Sequence, residues 1–134
     1  MFECPFGSVF RAVDADLFHP EVIRAAALKG ARLVIGGVYL PGGEYTSMQG
    51  VCGAYNMAQQ NGVFVLDANN VVTSLAAPEG CTGQEHSLGQ TEGWCLRDSD
   101  QLPITLSLDL STAPGPQLLL DEGFYLRYAS QLGR

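Results

Sequence analysis

Between Asp14 and Glu21 the chain brings together Asp14, Asp16, His19 and Glu21, side chains able to act as acids, bases or ligands. Two carboxylates sharing a site can divide into an acid and a base, because each raises the other's proton affinity. Asp14 and Asp16 stand at i and i+2, so on an extended segment both would point to one face. The simpler reading makes Asp16 a cap for the chain reversal and the helix after it, with Asp14 a lone carboxylate. That reading outweighs the first, since nothing else in the sequence converges on the pair as a third group. Glu21 suits the positive end of a helix dipole better than catalysis. His19, beside Pro20, reads as a packing or capping residue. His86 lies alone in a loop, and two distant histidines do not make a metal site. Cysteines 4, 52, 81 and 95 show no short metal or redox spacing. Gly36-Gly37 and Gly42-Gly43 lack the spacing of a phosphate loop. No metal and no cofactor is expected.

These residues sit where a strand is expected to end and a helix to begin. Gly7 to Val13 reads as the strand, bounded by Pro5 and Gly7. Pro20 suits the first helical position, where its missing N–H costs nothing, and Gly30 supplies a stop. Val22, Ile23, Ala26 and Ala27 form the apolar stripe of that helix, with Arg24 and Lys29 toward water. Arg32 to Leu40 is nearly continuous in apolar residues and predicts a strand buried on both faces. After a turn at Pro41-Gly42-Gly43-Glu44, a second helix capped by Thr46 or Ser47 runs to Asn61, with Cys52 and Tyr55 on its apolar side. Val63 to Leu66 is another buried strand, ending at Asp67-Ala68-Asn69-Asn70, and Val71 to Ala77 a further one. A Gly/Ser/Thr-rich loop from Cys81 to Gly93 follows. Trp94–Arg97 and Ile104–Leu110 predict edge strands, and Gln117 to Leu132 a terminal helix.

Residues 1–134 have the size of one domain, and 46% apolar content fits a globular chain. The net charge is −7, and the seven Lys and Arg residues do not cluster, which argues against nucleic acid and anionic membranes. The longest apolar or Gly run, Leu33 to Leu40, is far short of the roughly 20 residues a spanning helix needs. The first residues show no basic and apolar signal pattern, and scattered cysteines read as free thiols, so a cytoplasmic location is expected.

The residues at these joints resemble the carbon–nitrogen hydrolase (nitrilase) superfamily. Its nucleophile motif runs apolar–Cys–aromatic–Asp–x–Arg–Phe–Pro–Glu, followed by a helix, a Gly-Ala segment and an apolar strand. Asp16, Pro20, Glu21, Ala27-Leu28-Lys29-Gly30-Ala31 and Leu33-Val34-Ile35 match it without a gap. Ala58 to Val65 with Ala68-Asn69 looks like a second signature, Ser74 to Gly80 like a later hairpin, and Leu108-Asp109-Leu110 like the last strand. The register puts Asp14 at the nucleophile position, and Phe18 and His19 at the Arg and Phe positions.

The resemblance implies an α/β fold: half of an α-β-β-α sandwich, with one mostly six-stranded sheet, two helices on one face and a C-terminal helix. It also implies that the chain corresponds to the family's C-terminal half, while the other half supplies a catalytic Glu and Lys. The implied chemistry is thiolate attack on a small amide or nitrile, giving a thioester that water cleaves. An aspartate does not replace the thiol, because the anhydride it would form expels carboxylate more readily than amine departs. Two readings follow. The chain is an amidase-like hydrolase that is inactive alone, or a non-catalytic binding or assembly remnant. Either leaves a bare sheet face, so the expected partner is a second copy or a separately encoded N-terminal half.

Overall fold

The computed structural model describes residues 1–39, 47–69, 73–78, 81, 84–85 and 106–116. Five strands make one mixed sheet in the order β1-β2-β3-β4-β5: Phe2–Cys4, Gly7–Val13, Leu33–Val38, Phe64–Asn69 and Thr73–Ala76. Strands β2, β3 and β4 run parallel; β1 and β5 flank them antiparallel. Helix α1, Pro20–Leu28, joins β2 to β3, and α2, Ser47–Asn61, joins β3 to β4. Both crossovers step the same way across the sheet. Right-handed connections of that kind put both helices on one face.

Each helix stops where the sequence supplies a glycine. At the end of α1 the Gly30 N–H donates to the Ala27 carbonyl and the Ala31 N–H to that of Ala26, the paired bonds of a Schellman motif. Gly30 takes φ 98° there, a conformation that side-chain-bearing residues avoid. At the end of α2 the Gly62 and Val63 N–H groups both donate to Ala58.

The sheet has a core on each face. Ile23, Ala27, Ala54, Met57 and Ala58 of the helices pack on Ala12, Val34 and Val65. On the opposite face, Val9, Leu33 and Phe64 are covered by Cys81, Leu110 and Ala113. Among the described residues that cover reaches only the N-terminal ends of the parallel strands. Toward their C-terminal ends Val13 is 54% exposed and Ile35 38% exposed.

Several sequence expectations change. The main sheet has five strands among the described residues, and the sixth expected strand is not among them. Strand β1 is an addition, a hairpin partner of β2 formed across the Pro5-Phe6 turn. Of the strand expected over Ile104–Leu110, the described residues show β7, Leu106–Ser107, which pairs antiparallel with β6, Gln84–Glu85, outside the main sheet. It ends because Asp109 caps a 3-10 turn at Leu110–Thr112, accepting from the Ser111 N–H at 3.0 Å and the Ser111 hydroxyl. β3 is buried on both faces only at its start, where Leu33 is covered; farther along, Ile35 is open on the face away from the helices. The turn at Pro41–Glu44, His86, the strand at Trp94–Arg97 and the terminal helix over Gln117–Leu132 lie outside the described residues. Among the described residues, no helix is long and apolar enough to cross a membrane.

Candidate functional site

β2 ends at Val13, and the chain turns at once into a 3-10 helix, Asp14–Phe18, before α1 begins. Asp14 makes the turn with φ 52°, the one positive value at a non-glycine residue among the described residues. Aspartate is one of the few side chains that tolerate this left-handed region. Its carboxylate is exposed to solvent.

Asp16 holds the turn from within. Its Oδ2 accepts the Val13 N–H at 2.9 Å, while its carbonyl accepts the His19 N–H at 3.1 Å. The expected capping role is thus exerted on the reversal itself. At α1, the cap position is His19, which makes no side-chain cap bond. Replacing Asp16 with Ala is expected to cost about 1 kcal/mol in urea denaturation, the usual cost of losing such a cap.

The arrangement of Asp14 and Asp16 on one face does not form. That reading assumed an extended backbone, whereas a 3-10 helix has three residues per turn, so positions i and i+2 point about 120° apart. Asp16 is tied to backbone and Asp14 faces water. The acid–base pair is therefore absent. Glu21, in the first turn of α1, meets His19 instead: His19 Nδ1 lies 3.3 Å from Glu21 Oε1, with both side chains more than half exposed. An exposed pair of this kind adds little to stability.

Two hydrophobic contacts fix the height of the turn over the sheet. Leu17 is 3% exposed and lies on Gly36 of β3, where a side chain would overlap it. The Phe18 ring stands over Gly53 of α2. A carboxylate is thus presented at a rigid strand-to-helix corner, and the two elements on either side are packed in place.

Sequence reasoning missed Asp67 and Ser74. Both are 1% exposed and are directly opposite one another on β4 and β5. The cross-strand row runs Ala12, Gly36, Asp67, Ser74 beneath the helices. Among the described residues the Ser74 hydroxyl has no hydrogen-bond partner. A signal was available: Val65 and Asp67 share the inward phase of β4, but Asp67 was read as the strand's polar end. The strand continues to Asn69. Among the described residues, no group of three His, Cys, Asp or Glu side chains is placed to hold a metal ion.

No protein-family model matches the sequence, and no curated protein matches it either. Solved structures do resemble the fold. A carbon–nitrogen hydrolase from Helicobacter pylori G27 superposes with a TM-score of 0.58 at 18% identity, over 84% of this chain and 43% of that one. A mutant of the amidase from Nesterenkonia sp. AN1, with the acetamide moiety of fluoroacetamide added covalently at its active-site cysteine, gives a TM-score of 0.52. Its identity is 22%, over 90% of this chain and 44% of that one. The chain spans less than half the length of either structure. Over the part it spans, it has the α/β fold of the carbon–nitrogen hydrolases.

Proposed function

We propose that the chain is a carbon–nitrogen-hydrolase-like domain that does not hydrolyse amides or nitriles by itself and serves as a binding or assembly module. The observation that carries this is Asp14 at the strand-to-helix corner, with φ 52° and an exposed carboxylate. In the hydrolase reaction a thiolate adds to the amide carbon, the amine leaves with a proton from an acid, and water cleaves the thioester. With a carboxylate as nucleophile, the tetrahedral adduct returns carboxylate rather than amine, so substrate is regenerated. Asp16 and Glu21 have supporting roles in this reading: one braces the turn, and the other marks the start of α1. Any activity on small amides or nitriles would require a second sheet over the open face. Cys4 and Cys81 are free thiols, which supports a reducing, cytoplasmic setting.

The test uses Asp14→Cys. With fluoroacetamide followed by peptide mapping, the new thiol is expected to be modified faster than Cys4, Cys52, Cys81 and Cys95. The unaltered chain is expected to carry no adduct at residue 14 and to release no ammonia from acetamide. Ammonia release by the unaltered chain that disappears in Asp14→Ala would overturn the proposal.

A further inference from the structure

We draw no further inference here: the strongest candidate, the open part of the sheet face around Val13, Ile35, Gly37 and Ala68 on the side away from the helices, is an unpartnered apolar surface, and nothing in the structure shows what covers it.

Discussion

Adding one methyl group at position 36 is expected to cost about 1–3 kcal/mol in the native chain, and much less once Leu17 is shortened. Gly36 lies in the middle of β3, paired with Ala12 on one side and Asp67 on the other. A Cβ there would overlap Leu17 Cδ1 and stand 2.8 Å from Leu17 Cγ. Leu17 has nowhere to go: it is 3% exposed and belongs to the core beneath α1 and α2. The overpacking therefore lifts the 3-10 segment that carries Asp14. Leu17→Ala alone should cost about 2–5 kcal/mol through the cavity it leaves. In the double variant the new methyl enters that cavity, so the two costs should fall well short of their sum. Urea denaturation of the four proteins measures the coupling. Additive costs would mean that the corner is not seated on Gly36.

This contact also shows where sequence reading reached its limit. The corner was legible because each joint has a local cause. Pro20 can open a helix but cannot continue a strand, Gly30 can close one, and Asp16 can take the N–H of Val13. The alternation of strands and helices was legible too, and it is what lets β2, β3 and β4 run parallel. The height of the corner over the sheet was not legible. It depends on Leu17 meeting a glycine in β3, which follows in sequence but has no local link to it. Asp67 was hidden for a related reason. A carboxylate at the end of an apolar run is ordinarily a strand terminus, and only the register against β5 shows that it is inside. The Asp14–Asp16 geometry failed through a single local choice, a 3-10 turn in place of extended chain. At two residues' separation that choice decides whether carboxylates converge or diverge.

Gly62→Ala is expected to be more disruptive, costing about 2–4 kcal/mol and loosening a distant part of the chain. Gly62 closes α2 with φ 61°, where a side chain is strained. The larger effect comes from its neighbour. A Cβ at 62 would overlap the Gly115 carbonyl oxygen and stand 2.7 Å from its carbon, and these are backbone atoms with little freedom to yield. The Gly115 N–H in turn donates to the Gly62 carbonyl at 2.9 Å. Residues 113–116 must therefore move away, taking Ala113 with them and drawing on Leu110, two of the residues that cover Val9, Leu33 and Phe64. Cys81 reports the movement. It is 7% exposed, and its Sγ lies 3.1 Å from the Thr112 carbonyl oxygen. Its thiol should resist an aromatic disulfide reagent in the unaltered chain and react readily in Gly62→Ala, with peptide mapping used to separate it from the other cysteines. The same displacement would enlarge the bare sheet face, so the variant should also aggregate more readily than the unaltered chain. If Cys81 stayed protected while stability fell, the cost would belong to the strained φ alone and residues 113–116 would not be held through Gly62.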